Sequence, residues 1–262
     1  MSISYSVKVI SDCHIGIKGE KGDDFKLDEQ LFLEYLARSI DAYDIVILNG
    51  DIFECWEGDL DDEKTLKKIK ESRSALFEAC TQGGFVKYIF GNHDAIARTG
   101  NIETGAISHF VIDMNGASVY FAHGHQSDKA NSGCCCCVGR MIAYGVGEGE
   151  NLIDPDLDIK LSALDNICLS ERDKERTANH AFALAEKYGY DAVIYGHTHN
   201  PGVEKRNDII YGNSGRARDY VNMIDEIIVI WTQDTLECLS VRRDIRNDNV
   251  VKTYGTQTLT IK

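Results

Sequence analysis

Proline and tryptophan are scarce, with two of each in 262 residues. The two prolines, Pro155 and Pro201, bound no Pro/Ser-rich linker, which favours a single domain over 1–262 rather than two independent halves. No run of about 18 apolar residues occurs, and the opening MSISYSVKVISD has no basic stretch leading into an apolar one. Neither a membrane span nor a secretory signal is therefore expected, and a cytoplasmic location is the default. Positive charge is also short: 28 Lys and Arg stand against 42 Asp and Glu, for a net charge of −14. That balance disfavours broad docking on nucleic acid or anionic membrane, both of which need basic surface. An anionic substrate must then be held by something locally positive.

Hydrophobic content is ordinary at 43%, enough for a sizeable core, so disorder is excluded. Nine cysteines is an odd number without framework spacing, which points to reduced thiols and no disulfide scaffold. Short β-rich runs at 5–11, 45–49, 86–90, 118–122 and 192–195 each end in Gly, Asn, Asp or His and read as buried strands. Between them, Phe32, Tyr35, Leu36, Ser39 and Ile40 fall on one helical face. Leu66, Ile69, Arg73, Leu76, Phe77 and Cys80 do so on a second helix, and Ala178, Ala181, Phe182 and Ala185 on a third spanning 171–188. Alternating strands and helices predict a layered α/β fold. The runs 209–211, 226–231, 235–242 and 256–261 follow one another without helices and predict an antiparallel portion or a second sheet. Residues 125–190 break the rhythm with Gly-rich and acidic stretches and are expected to form a helical insertion or lid.

Five of the predicted strands end in residues that can ligate a metal: Asp12-Cys13-His14, Gly50-Asp51, Gly91-Asn92-His93-Asp94, His123-Gly124-His125 and Gly196-His197-Thr198-His199. Six of the eight histidines lie in these motifs. Ligands in open α/β sheets gather at the carboxyl ends of strands, so positions far apart in sequence can converge there. Oxygen and imidazole donors without thiolate suit Mn, Fe or Zn in a catalytic site. The set is too large for one open ion. Two ions about 3.5–4 Å apart, sharing a carboxylate and a hydroxide, would use it for displacement at phosphorus. The two ions, two carboxylates and hydroxide sum to roughly +1, which supplies the local positive centre.

As an ordered set, D-x-H, G-D, G-N-H-D, H-G-H and G-H-T-H resembles the calcineurin-like metallophosphoesterase superfamily over Asp12 to His199. The resemblance implies a four-layer α/β/β/α sandwich and a dinuclear centre, manganese foremost, with Fe, Zn or a mixed pair as alternatives. It implies that Asp12, His14 and His199 hold the first ion, that Asn92, His123 and His197 hold the second, and that Asp51 bridges. A metal-bridging hydroxide would attack the phosphomonoester, phosphodiester or pyrophosphate. By the same resemblance His93 assists the leaving oxygen, Asp94 orients His93, and Asn213-Ser214-Gly215 forms a turn near the site. Gly50-Asp51-Ile52-Phe53-Glu54-Cys55-Trp56 lacks the D-R-G of protein Ser/Thr phosphatases. That run and the long stretch from His123 to His197 look more like the UDP-2,3-diacylglucosamine pyrophosphohydrolases. That group commonly has Arg where this chain has His93, and a less acidic lid. The other enzymatic readings are a phosphodiesterase and a small-molecule phosphatase. From another class comes a metal-binding scaffold or interaction protein on the same fold without turnover. The implied partners are a small phosphorylated molecule, nucleotide- or lipid-linked, and a second copy in a homodimer.

Each motif alone has a plainer account as a turn or loop start. His125 could support a ligand or be a loop residue, His109 and His180 read as structural, and Asp128 as a ligand-shell residue or helix cap. Successive Cys134, Cys135, Cys136 and Cys137 cannot converge on one tetrahedral ion and read as packing; a pair of them with Cys168 is the metal alternative. Arg98 and Arg140 lead the candidate phosphate contacts, ahead of Lys18, Lys21, Arg216 and Arg218.

Overall fold

The computed structural model describes residues 4–20, 23–56, 61–127, 171–217 and 222–261. Lys21, Asp128, Arg140, Arg218, Cys168 and the four cysteines from Cys134 to Cys137 lie outside them, as does most of the proposed insertion.

Two sheets stack. Strands β1 (Tyr5–Ile10), β2 (Ile45–Asn49) and β3 (Val86–Ile89) run parallel in the first. Strands β9 (Met223–Trp231), β10 (Thr235–Asp244) and β11 (Asn249–Thr260) extend it antiparallel from β1, giving the order β11-β10-β9-β1-β2-β3. The second sheet has the order β4-β5-β6-β8-β7, from β4 (Phe110–Met114), β5 (Ala117–Phe121), β6 (Ala192–Tyr195), β7 (Gly202–Arg206) and β8 (Ile209–Asn213). The last three strands are thus antiparallel as expected but complete the first sheet, while β8 lies parallel to β6 in the second.

Three apolar clusters mark four layers. Helix α1 (Glu29–Ala42) places Phe32, Tyr35 and Leu36 against the first sheet, joined by α2 (Asp62–Ser72) and α3 (Ser74–Thr81) through Leu66, Ile69, Leu76 and Phe77. Between the sheets lie Val7, Val9, Ile47, Val119, Phe121, Ile194, Ile227 and Trp231. Outside the second sheet, α5 (Glu171–Tyr188) buries Ala178, Ala181, Phe182 and Ala185 on Val193, Tyr195 and Tyr211. This is the α/β/β/α sandwich, and the helix expected to end the insertion supplies its fourth layer.

Local signals set the helix ends. The Asp28 side chain accepts from Leu31 N at 2.9 Å to start α1, and Asp61 accepts from Lys64 N at 3.1 Å to start α2. The pattern over 66–80 predicts one helix, but two form, because Arg73 leaves helical geometry at φ −137°. Its guanidinium turns inward to Gly16 O at 3.2 Å, Glu29 at 3.0 Å and Asp23, and three charge-assisted bonds outweigh a turn of helix. Strands β4 and β7 are not evident from alternation alone. Asn115-Gly116, both at positive φ, forms the tight turn joining β4 to β5.

Candidate metal centre

All five motifs follow strands: β1 delivers Asp12 and His14, β2 Asp51, β3 the run to Asp94, β5 His123 and β6 the two later histidines. Their turns are tight. Asp12, His14, Asp51, His197 and His199 all have φ between 47° and 68°, a left-handed conformation uncommon outside glycine. Backbone bonds hold the first two loops together, with Asp12 N on Gly50 O and His14 N on Asp51 O, each at 3.0 Å.

Gly91 shows how close the approach is. A Cβ there would lie 2.1 Å from Asp51 Oδ1 and 2.6 Å from Asp51 N. Gly91→Ala is expected to cost about 1–3 kcal/mol as overpacking and to weaken metal binding by displacing Asp51. Thermal unfolding and a Mn²⁺ titration check this; an unchanged melting temperature and affinity would contradict it.

The side chains gather into clusters. Donor atoms of Asp12, His14 and His199 lie within 4.8 Å of one another, and so do those of Asp51, His123 and His197. Asp12 Oδ1 is 3.1 Å from His199 Nε2, and Asp51 Oδ2 is 2.9 Å from His123 Nε2. His14 Nε2 and Asn92 Oδ1 are buried without a hydrogen-bond partner. Two clusters of largely buried oxygen and nitrogen donors, with His14 Nε2 unbonded, are what a cation would satisfy, and the set fits a divalent ion. The six expected His and Asp ligands therefore fall into these two clusters.

Electrostatics follow from burial and crowding. Burial pushes the Asp12 and Asp51 carboxyls up, but His199 and His123 beside Asp12, and His123 and His93 beside Asp51, bring both below the usual range. Burial likewise opposes charge on His123, yet Asp51 and Asp12 carry it up to about 9. His125 is taken down to about 3 by burial and by the His123 charge. Its ring lies 5.6 Å from His123 and 6.4 Å from His197, so it belongs to the cluster. His199 is lowered by burial, with Asp12 opposing and the His14 and Arg216 charges adding to it.

Asp94 is placed differently from expectation. Its carboxylate accepts from Ile52 N at 2.7 Å, Phe53 N at 3.2 Å, Tyr88 OH at 2.8 Å and Gly91 N at 2.5 Å, so it braces the loops that carry Asp51 and Asn92. Burial, and Asp51 nearby, raise it. The His93 ring instead meets Glu54, whose Oε2 is 2.7 Å from His93 Nδ1. Glu54 is a buried carboxylate at the site that the motifs do not include. Its signal was a single carboxylate inside the apolar run Ile52-Phe53-Glu54-Cys55-Trp56, which must be partnered if buried.

The remaining candidates separate. Asn213 does form the expected turn near the site, its amide donating to Gly196 O at 2.5 Å and Thr198 Oγ1 at 3.0 Å. Lys18 pairs with Glu29 at 3.1 Å, and exposed Arg98, in the short helix α4 (Ile96–Thr99), lies 5.6 Å from the Phe90 ring. His109 stacks on Tyr120 at 5.3 Å and His180 bonds Tyr195 OH at 3.2 Å, both outside the clusters. Cys13 and Cys55, though inside the motifs, face the apolar core; like Cys80 and Cys238 they are buried and in no disulfide among the described residues.

Imidazoles and carboxylates at strand ends, with thiols turned away, suit an ion that polarises a phosphoryl oxygen, and the class so defined is the metal-dependent phosphoesterases. A family model described as calcineurin-like phosphoesterase matches residues 5–201, and the chain belongs to that family. It is 37% identical over 98 residues to the UDP-2,3-diacylglucosamine hydrolase of Photobacterium profundum, covering 36% of this chain and 37% of that protein. The match thus spans little more than a third of that relative's length. A protein of the same name from Escherichia coli O7:K1 is 27% identical over 192 residues, covering 66% of this chain and 76% of that one. Among solved structures, Vps29 from Cryptosporidium parvum aligns over 98% of both chains at 15% identity, with a TM-score of 0.49. No helix among the described residues is long and apolar enough to cross a membrane.

Proposed function

We propose that the chain hydrolyses a pyrophosphate of the UDP-2,3-diacylglucosamine kind, or a related phosphodiester, at a centre of two divalent ions, manganese foremost. The observation that carries this reading is the pair of donor clusters, Asp12-His14-His199 and Asp51-His123-His197. Asp12, His14 and His199 would hold one ion, Asn92, His123 and His197 the other, and Asp51 both. Such ions, when bound, supply charge neutralisation at the phosphoryl oxygens and a water acidic enough to be a nucleophile near neutral pH.

The chain's own groups do the rest. With Nδ1 on Glu54, His93 has Nε2 to give a proton to the leaving oxygen as its bond to phosphorus breaks. A cleft of about 430 Å³ opens at the Thr198 turn, lined by Lys174, Asn200, Arg206, Tyr211 and Asn213. That space favours a second substituent on phosphorus over a bare monoester; Glu175 and Glu204 line it as well, so Lys174 and Arg206 leave it without excess positive charge. Arg98 and Arg140 are further phosphate contacts under this reading, and the names of the two curated relatives support the lipid-nucleotide choice.

The test is direct. Mn²⁺-loaded protein offered UDP-2,3-diacylglucosamine should release uridine monophosphate, with slower turnover of simple diesters and least of monoesters. Inactivity on all three classes would overturn the proposal.

A further inference from the structure

We propose that Glu54 is a positioning residue that couples the ion-binding side of the centre to its proton donor, by taking one hydrogen bond from His14 and one from His93 on the same carboxylate oxygen. The inference rests on the phosphoester-hydrolase reading above and extends it to a residue outside the ligand set.

Glu54 Oε2 lies 2.7 Å from His14 Nδ1 and 2.7 Å from His93 Nδ1. The other oxygen, Oε1, accepts from Trp56 N at 2.8 Å, so the carboxylate is fixed from both ends, and it is 1% exposed. The Trp56 ring then stacks on His93 with centroids 4.2 Å apart and planes at 24°, while the His14 ring meets His93 edge-on at 4.7 Å and 88°. His93 is therefore gripped on one face, on one edge and at one nitrogen.

A bond at Nδ1 determines which atom each ring presents. His14 turns Nε2 to Asp12 and His199, where it is buried and without a hydrogen bond. His93 presents Nε2 on the side of the ring away from Glu54. Carboxylates that bond the distal nitrogen of a ligand histidine hold its tautomer and orientation. Here one oxygen does this for a ligand and for the proton donor together, so the His14 and His93 rings are held at a fixed separation. Asp94 cannot serve, since its oxygens are taken by the backbone of residues 52, 53 and 91 and by Tyr88.

Glu54→Gln keeps the shape, but its amide oxygen and NH₂ cannot accept from two imidazoles and the Trp56 N–H at once. In Mn²⁺-loaded protein, kcat should fall about 10–100-fold for a phenyl diester. For a p-nitrophenyl diester, which needs little protonation of its leaving group, it should fall less than about threefold. KM should change little. Mn²⁺ affinity, read by calorimetry without turnover, should drop about 10–100-fold. A purely structural role would lower both substrates alike.

Wild-type protein gives a second readout: with diamagnetic Zn²⁺ bound, nitrogen-15 imidazole spectra should show a proton on Nδ1 of both His14 and His93. Equal leaving-group dependence and Mn²⁺ affinity in wild type and Glu54→Gln, or a bare Nδ1 on either ring, would overturn the proposal. Failure of wild type to cleave any phosphoester would instead overturn the hydrolase reading, leaving the calorimetric and spectroscopic results to judge Glu54.

Discussion

Asp51→Asn is expected to lower kcat by at least about 10³-fold, the scale on which removing a group that governs charge at the reacting centre is felt, while the fold survives. The substitution is nearly isosteric and suits the local backbone, because Asn tolerates the left-handed φ of 51° that Asp51 adopts. Its oxygen can still accept from His93 N, now at 2.9 Å from Oδ1. What disappears is the negative charge facing His123 Nε2 at 2.9 Å, and with it the group proposed to serve both ions. Mn²⁺ binding should weaken in parallel with turnover, and circular dichroism should be unchanged. Full activity in Asp51→Asn would remove the bridging role.

His93→Ala separates chemistry from metal binding. Loss of a general acid costs about 10²–10⁴-fold in rate, and the penalty should grow as the leaving group becomes more basic. Both ligand clusters stay whole without it, since Asp12, His14 and His199 converge independently of Asp51, His123 and His197. Metal content should hold. A third convergence, His14 with Glu54 and His93, gives the experiment its edge: if that trio were an ion site, His93→Ala would lose metal along with rate. Separations of 2.7 Å from Glu54 Oε2 to each ring nitrogen are hydrogen-bond lengths and favour the acid role.

Much of this was legible because the fold repeats one device. Buried strands of four to six residues end in Gly, Asp, Asn or His, and their carboxyl ends point the same way in β1, β2 and β3 and again in β5 and β6. Order and spacing alone could therefore place Asp12, Asp51, His123 and His199 together. Glu54 escaped because a lone carboxylate carries no spacing rule; only its burial, and two imidazoles arriving from other loops, give it a partner. The break between α2 and α3 was hidden for the same reason, since Arg73 sits in phase with the apolar stripe but answers to Asp23 and Glu29, far away in sequence. Asp94 illustrates the converse: the resemblance implied that it orients His93, whereas the turn directs its carboxylate to backbone N–H groups.

The acidic composition also reads differently beside the site. A charge of −14 argues against broad electrostatic docking, but a compact metal centre offers positive potential over the few ångströms that one phosphoryl group occupies. The exclusion concerns a mode of binding rather than a class of substrate.

The central claim is a two-ion centre, and counting ions tests it most directly. Protein stripped by chelator, saturated with Mn²⁺ and freed of excess should retain two ions per chain by elemental analysis, and about one or none in Asp51→Asn. Retention of about one ion or fewer per chain by the wild type would contradict the account.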